Sequence, residues 1–209
     1  MSDLPDVPGP TVPRTSRGER TRARLRDAAR QVFAERGYAA ARVEDVVAAA
    51  GVSHGTFYTY FTNKAGALDA LIDETARDLQ AVVEEPWDGP DAARAIAAVI
   101  DRFVDVFAEH ADVMGTWLEA SAHEPHFRQR LREVRDGYIA RVAEQLGPAL
   151  EGTGHDPSVA AAALVAMVEG YSTQGLRADD AADRASRTRT LAALWFGGLL
   201  GLTQPSPSS

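Results

Sequence analysis

The chain has 209 residues, of which 45% are hydrophobic and 25% are charged, so it is long enough to bury a sizeable core in one or two domains. The absence of cysteine excludes disulfides, thiolate metal sites and cysteine nucleophiles. The net charge of −8 argues against a nucleic-acid partner only if the charge is spread evenly along the chain.

The charge is divided between a basic N-terminal part and an acidic remainder. Arg14 to Lys64 contains ten basic and five acidic residues, whereas Ala65 to Ser209 contains twelve basic and 23 acidic residues. This asymmetry would turn one face of the molecule toward a polyanion. A solvated charged helix would explain the arginines but not the asymmetry. Lys64 is the only lysine in the chain.

Residues 1–16 contain four prolines and no hydrophobic period, which predicts a disordered arm rather than a signal peptide. Arg14 and Arg17 could contact a phosphate or the minor groove, although a solvated tail fits equally well. From Arg17 to Arg36 apolar residues recur at helical spacing, and Gly37 is expected to end this amphipathic helix.

Residues 43–64 are predicted to form two short helices joined by a glycine turn. Gly51 can adopt the positive φ that the turn needs, and the Ser53 hydroxyl can cap the second helix. In that helix we expect three aromatic residues to point inward, namely Phe57, Tyr60 and Phe61. The residues left to face outward are His54, Gly55, Thr56, Tyr58 and Thr59. This arrangement can present a recognition helix to a DNA major groove, although an ordinary helical hairpin has the same pattern.

The remaining chain is predicted to be helical throughout, with no β pattern and no internal repeat. Asn63 can cap a helix from Lys64 to about Val83, and further apolar stripes follow at helical spacing. The run from Val159 to Val168 is apolar on all sides, which is typical of a helix buried on more than one face. The apolar run 191–202 is shorter than the ~20 residues of a membrane-spanning helix. We therefore expect a cytoplasmic protein with no membrane partner.

Four sequence features from the first helix to the start of the fourth recur together in one known family. They are the runs AAxxVFAERGY, VEDV, AGVSxGTFYxYF and NKxxxL. This quarter of the chain resembles the N-terminal domain of the TetR family of bacterial transcriptional repressors. The resemblance implies an all-α fold of about nine helices, with a three-helix helix-turn-helix domain followed by a larger helical domain. The expected boundaries are a disordered arm at 1–16, a DNA-binding domain at 17–63, an effector-binding and dimerisation domain at 64–203, and a disordered tail at 204–209.

The resemblance also implies which side chains contact DNA. Backbone contacts are implied for Thr56, Tyr58, Tyr60 and Lys64, and base contacts for His54, Gly55 and Thr59. In the family, threonine or serine often leads into the first helix of the motif. Here Ala41 and Arg42 replace that cap, which would weaken the start of the helix by ~1 kcal/mol, while Arg42 could add a phosphate contact. The full predicted DNA-binding set is Arg42, Ser53, His54, Gly55, Thr56, Tyr58, Thr59, Tyr60 and Lys64.

The aromatic and methionine residues of the larger domain are compatible with a plain core or with a ligand pocket. The resemblance favours a pocket, and the lack of charge on these faces suggests a small hydrophobic or aromatic effector. The predicted ligand-binding set is Phe103, Phe107, Met114, Trp117, Phe127, Tyr138, Met167 and Tyr171. By the same resemblance, the last two long helices, about 158–177 and 185–202, would form a four-helix bundle in a homodimer.

The resulting prediction is a ligand-responsive homodimeric repressor that binds a palindromic double-stranded operator and is released by a hydrophobic small molecule. We expect no enzymatic activity, cofactor or metal. The alternative is a helical small-molecule-binding protein or enzyme without DNA binding, acting through His123, Glu124 and His126. Pro125 interrupts helical spacing between the two histidines, which argues against a metal site there, because zinc needs three or four convergent ligands.

Overall fold

The computed structural model describes residues 16–86, 92–175 and 181–200, which contain nine α-helices and no strand. The helices are α1 (Ser16–Arg36), α2 (Val43–Ala50), α3 (His54–Tyr60), α4 (Lys64–Val83), α5 (Ala92–Glu109), α6 (Ala111–His123), α7 (Pro125–Leu150), α8 (Pro157–Gly175) and α9 (Ala181–Leu200). The predicted all-α class with an N-terminal helix-turn-helix is confirmed. The predicted arm, apart from Ser16, and the predicted tail at 204–209 lie outside the described residues. None of the described helices is long and apolar enough to cross a membrane.

The chain divides into two compact units by its internal contacts. The first unit comprises the described residues up to Thr75 together with 112–128, and the second comprises the described residues of 76–111 and 129–209. Helices α4 and α7 each begin in the first unit and end in the second. Helix α6 belongs to the first unit from Asp112 onward, although it follows α1 by about eighty residues. The predicted domain boundaries at 17–63 and 64–203 remain a prediction.

The core of the first unit combines the motif helices with α6 and the start of α7. Leu25, Phe57 and Leu68, from α1, α3 and α4, are each 0% exposed. Trp117 of α6 is 1% exposed, and its indole Nε1 donates a hydrogen bond of 3.2 Å to the backbone oxygen of Phe127. Because a buried indole N–H needs an acceptor, this bond explains how Trp117 can lie in the core.

The core of the second unit lies among α5, α7, α8 and α9. Helix α5 contributes the predicted stripe, which is buried from Ile96 to Phe107. Helix α7 continues through Gly147 and Pro148, two residues that disfavour helix, to the buried Leu150. Pro148 has no backbone N–H, so this last turn of α7 lacks one i→i−4 hydrogen bond. Helix α8 has one buried face within a single chain, and its other face, which includes Val159, is exposed.

Candidate nucleic-acid interface and ligand cavity

The turn between α2 and α3 is built as the sequence predicts. Gly51 has φ 61°, in the left-handed region, and ends α2. Ser53 lies just before α3 in an extended conformation, and its hydroxyl accepts a hydrogen bond of 3.2 Å from the Thr56 backbone N–H. This side-chain cap fixes where α3 begins and therefore which residues occupy its outer face.

Helix α3 has the inward and outward faces that its sequence predicts. Phe57 is fully buried, and Tyr60 and Phe61 are 8% and 3% exposed. Tyr58 is 52% exposed on the opposite side. The remaining outward residues are His54, Gly55 and Thr59, which are exposed, and Thr56, which is half-buried. The outer face thus carries an imidazole, a phenol and hydroxyls, which are groups suited to base edges and phosphate oxygens.

Two features of α3 bear on how closely another molecule can approach it. A Cβ added at Gly55 would meet only the Ser53 hydroxyl, at 3.9 Å, so nothing inside the protein requires glycine there. The Thr59 hydroxyl donates to the Gly55 backbone oxygen at 2.9 Å, which leaves its oxygen free to accept. The surface around Gly55 is therefore open toward solvent.

The start of α2 has a replacement for the missing serine or threonine cap. The Asp45 carboxylate accepts a 3.0 Å hydrogen bond from the Arg42 backbone N–H and pairs with Arg36 at 2.9 Å. This is the reciprocal half of a capping box, so the expected weakness at the start of the helix is at least partly offset. The Arg42 side chain is exposed and available to a partner.

Lys64, the only lysine, is bound to the turn between α1 and α2. Its Nζ donates to the backbone oxygens of Tyr38, Ala39 and Ala41 at 2.7, 3.2 and 3.1 Å. The ammonium also lies 4.5 Å from the centre of the Tyr38 ring. All three of its donors thus have acceptors within the protein. Lys64 therefore holds the first residue of α4 against the turn that leads into α2.

The other side of the same turn is held by Glu119 of α6, a residue that the sequence did not single out. Its two carboxylate oxygens accept the backbone N–H groups of Tyr38 and Ala39 at 2.9 and 3.1 Å. These bonds favour the charged form and hold the pKa of Glu119 below its usual value. Gly37, with φ 74°, turns the chain so that the two N–H groups face one carboxylate.

Helix α6 also contacts α1 itself, through the bidentate pair of Arg30 and Asp112. The guanidinium Nε and Nη2 donate to the two carboxylate oxygens at 2.6 and 2.8 Å. Burial opposes the charge of Asp112, but the hydrogen bonds from Arg30 hold the pKa of its carboxyl below the usual value. Neither the contact of Glu119 with the turn nor the Arg30–Asp112 pair has a sequence signature, because the partners are about eighty residues apart.

A cavity lies within the second unit, with an empty volume of about 400 Å³ that includes space open to solvent. Its lining residues are Val83, Val99, Ile100, Phe103, Tyr138, Val142, Leu164, Val165 and Val168. Phe103 and Tyr138 come from the predicted ligand-binding set. Phe107, Met167 and Tyr171 belong to the second unit but do not line this cavity, and Met114, Trp117 and Phe127 belong to the first unit. Two residues of the predicted set therefore line this cavity, and a ligand-binding role for the other six remains a prediction.

The histidines near Pro125 form no metal centre in the part of the chain that the structure describes. His126 pairs with the two carboxylate oxygens of Asp69 at 2.9 and 3.0 Å, and His123 is exposed. Within residues 16–86, 92–175 and 181–200, no group of three or more histidine or acidic residues could hold a metal ion.

Sequence comparisons match both parts of the chain. The family "Bacterial regulatory proteins, tetR family" matches residues 25–71, and "BetI-type transcriptional repressor, C-terminal" matches residues 103–195. The HTH-type transcriptional regulator BetI of Burkholderia thailandensis is 31% identical over 173 residues, which are 78% of this chain and 86% of that protein. The fatty acid metabolism regulator protein of Bacillus subtilis is 32% identical over 115 residues, 54% of this chain and 59% of that protein.

Solved structures share the fold over most of the chain. The fatty acid degradation regulator FadR of Bacillus halodurans has a TM-score of 0.72 at 24% identity, covering 86% of this chain and 96% of that one. FadR of Bacillus subtilis, in complex with stearoyl-CoA, has a TM-score of 0.70 at 24% identity, covering 84% and 98%. With its capped recognition helix and its match to BetI over most of both sequences, this chain belongs to the TetR family of bacterial transcriptional regulators, which are ligand-responsive DNA-binding repressors.

Proposed function

We propose that this protein represses transcription as a homodimer whose two α3 helices enter successive major grooves of a palindromic operator. The observation that carries the proposal is the outer face of α3, where exposed polar side chains surround an open glycine. His54, Gly55 and Thr59 would meet base edges. The residues proposed to contact the sugar–phosphate backbone are Arg42, Ser53, Thr56, Tyr58 and Tyr60. Tyr60 is nearly buried, so only its hydroxyl could take part.

Lys64 has a different proposed role from the phosphate contact that the family resemblance implies. Its three donors are already bound to backbone oxygens, so a phosphate would have to displace at least one of them. We therefore propose that Lys64 positions α2 and α3 by holding the turn before them. Glu119 would hold the same turn by accepting hydrogen bonds from the backbone N–H groups of Tyr38 and Ala39.

A second copy of this chain would cover the exposed faces of α8 and α9. On α8 the small and apolar residues Val159, Ala163, Ala166 and Gly170 are exposed at helical spacing. On α9, Leu194 is 65% exposed beside the exposed Ala193 and Gly197. Contiguous apolar surface of this kind is typical of an interface, and small residues let helices approach closely. The dimer would present its α3 helices about 34–36 Å apart, or somewhat more, to one side of the operator.

The cavity of the second unit is the proposed effector site. Its lining is apolar apart from one phenol, which fits a hydrophobic small molecule. The related FadR of Bacillus subtilis binds stearoyl-CoA in its solved structure, and the related SmeT binds triclosan. Helix α4 supports a link between the two sites, because Lys64 at its start holds the turn before α2 and Val83 at its end lines the cavity. A ligand that binds one position of α4 more tightly than another would change the affinity for DNA. The change is limited by the difference between the ligand's binding free energies for the two positions.

The proposal is tested by a gel shift with the DNA upstream of the protein's own gene, titrated with salt and unrelated competitor DNA. We expect saturable binding by a dimer that survives excess competitor and weakens steeply with salt. Binding that disappears with competitor would contradict sequence-specific repression and would favour a helical small-molecule-binding protein that does not read DNA.

A further inference from the structure

The C-terminal end of α4 is bound to α7 by side-chain hydrogen bonds. The last carbonyl groups of a helix have no partner within it and need one from elsewhere. The Gln145 side-chain amide donates to the backbone oxygen of Val83 at 2.7 Å, and the Arg141 guanidinium donates to that of Glu84 at 3.4 Å. The bond from Gln145 is the shorter and the less exposed of the two, so Gln145 is the principal partner of this helix end.

The same part of α7 forms a wall of the cavity in the second unit. Tyr138 and Val142, one helical turn apart, line the cavity, and Arg141 and Gln145, also one turn apart, contact the end of α4. On α4, the side chain of Val83 lines the cavity while its backbone oxygen accepts the bond from Gln145. Val83 therefore belongs both to the cavity wall and to the bonded end of the helix.

The bond from Gln145 restricts how α4 can respond when the cavity is filled. The side chain of Val83 is 4% exposed, so a larger occupant of the cavity would displace it against close-packed neighbours. Helix ends fray readily, and without the bond the last turn of α4 would absorb this displacement by unwinding. With the bond, the last turn stays helical and the displacement passes to the rest of α4.

We propose that Gln145 is a positioning residue for the response to a ligand, because its bond to Val83 keeps the last turn of α4 helical and makes the whole helix move when the cavity is filled. The inference rests on the proposed effector site and adds the residue through which that site acts on α4. A merely stabilising bond would change the Tm, but it would not change how far along α4 the effect of filling extends.

The test fills the cavity with a larger side chain and therefore needs no ligand. Val165→Phe enlarges a lining residue of α8, and Val165→Leu, a smaller enlargement, is measured beside it in case the aromatic ring prevents folding. Backbone amide signals of Ile72, Thr75 and Val83 are followed by NMR in the full chain. We expect the enlarged side chain to shift all three signals when Gln145 is present, and only that of Val83 in Gln145→Met.

Operator affinity measured by gel shift is the second readout. Val165→Phe should weaken operator binding by roughly fivefold or more when Gln145 is present, as is typical of coupling between two sites. In Gln145→Met the same substitution should leave operator affinity unchanged. Gln129→Met is the matched control, because this amide also lies on α7 but donates to the Glu133 carboxylate at 2.9 Å. It should preserve both effects of Val165→Phe.

Three results would overturn the inference. They are equal amide shifts along α4 with and without Gln145, shifts that stay within the last turn although Gln145 is present, and an operator affinity that Val165→Phe weakens equally in both backgrounds. The amide shifts are measured without DNA. Expected shifts in a chain that binds no operator would therefore contradict the repressor proposal alone, so the two failures are distinguishable.

Discussion

Lys64 illustrates how a residue that is distinctive in the sequence can have contacts that the sequence does not predict. Its isolation among 21 arginines marks it as unusual, and the family resemblance implies a phosphate contact. The structure instead shows an ammonium bound to three backbone oxygens and to the face of Tyr38. The sequence could not predict this, because those oxygens converge only once the turn between α1 and α2 has folded.

The two roles of Lys64 predict different salt dependences. Lys64→Met keeps the aliphatic side chain and removes the ammonium, so the backbone oxygens of the turn lose a donor and stability should fall by about 1 kcal/mol. We expect weaker binding to every DNA sequence, with an unchanged slope of log K against log salt concentration. The measurement is a salt titration of operator binding for both proteins. A slope reduced by about one unit would identify a phosphate contact and contradict the positioning role.

Gly55 offers a test of DNA approach that separates binding from folding. Alanine is a better helix former, and a Cβ at this position meets nothing closer than 3.9 Å, so Gly55→Ala should keep or raise the Tm. If α3 lies against base edges, the same methyl group would occupy space that the DNA needs, and operator affinity should fall about tenfold or more. Gly137→Ala, on an open surface of α7, is the matched control and should leave affinity unchanged. Equal affinity of Gly55→Ala and wild type would place the closest DNA contact elsewhere on α3.

At the scale of elements, sequence reasoning succeeds where the signal is local. Three features are encoded within a few residues of where they act: the hydrophobic period of α1, the left-handed glycine after α2 and the serine cap of α3. Each is found as predicted. The attachment of α6 to the first unit is not local. Glu119 resembles any other glutamate on an exposed helix face until the turn at Gly37 brings two N–H groups to it.

The contact between α6 and the α1–α2 turn predicts a specific pH dependence. The folded-state pKa of Glu119 lies below its usual value of 4.5 because backbone N–H groups stabilise the carboxylate. Its stabilising contribution is therefore complete above pH about 4.5, and it is lost as the pH falls through the lower folded-state pKa. Glu119→Gln should cost about 1 kcal/mol at pH 7, and this difference should shrink toward zero in acid.

The measurement is urea unfolding of wild type and Glu119→Gln between pH 7 and pH 3. Glu151→Gln, at an exposed position after α7, is the control for loss of one negative charge and should show no such convergence. If the two Gln variants lost the same stability at every pH, the loss of one negative charge rather than the bond to the turn would explain the effect. Operator affinity measured at pH 7 then tells whether this contact also positions α2 and α3.

At the scale of the whole molecule, the exposed face of α8 is the feature that a single chain does not explain. The sequence predicts burial on more than one side, and one chain buries only one side, leaving Val159 68% exposed. A charged side chain placed in the middle of that face would have to be desolvated in a dimer, which is costly without a partner. Ala166→Arg should therefore yield a folded monomer, visible as a halved mass in light scattering with an unchanged helical circular dichroism spectrum.

Loss of the dimer should weaken operator binding far more than any single DNA contact. Two linked recognition helices bind the second half-site at a high effective concentration, and separating them removes a factor on the order of 10²–10⁴ in affinity. We expect Ala166→Arg to lose operator binding by this factor. Ala98→Arg, an exposed position on α5, is the matched control and should stay dimeric with normal affinity.

A dimeric Ala166→Arg with full operator affinity would exclude the middle of α8 from the interface. A monomeric variant with full affinity would show that one α3 helix is sufficient, which would contradict a palindromic operator.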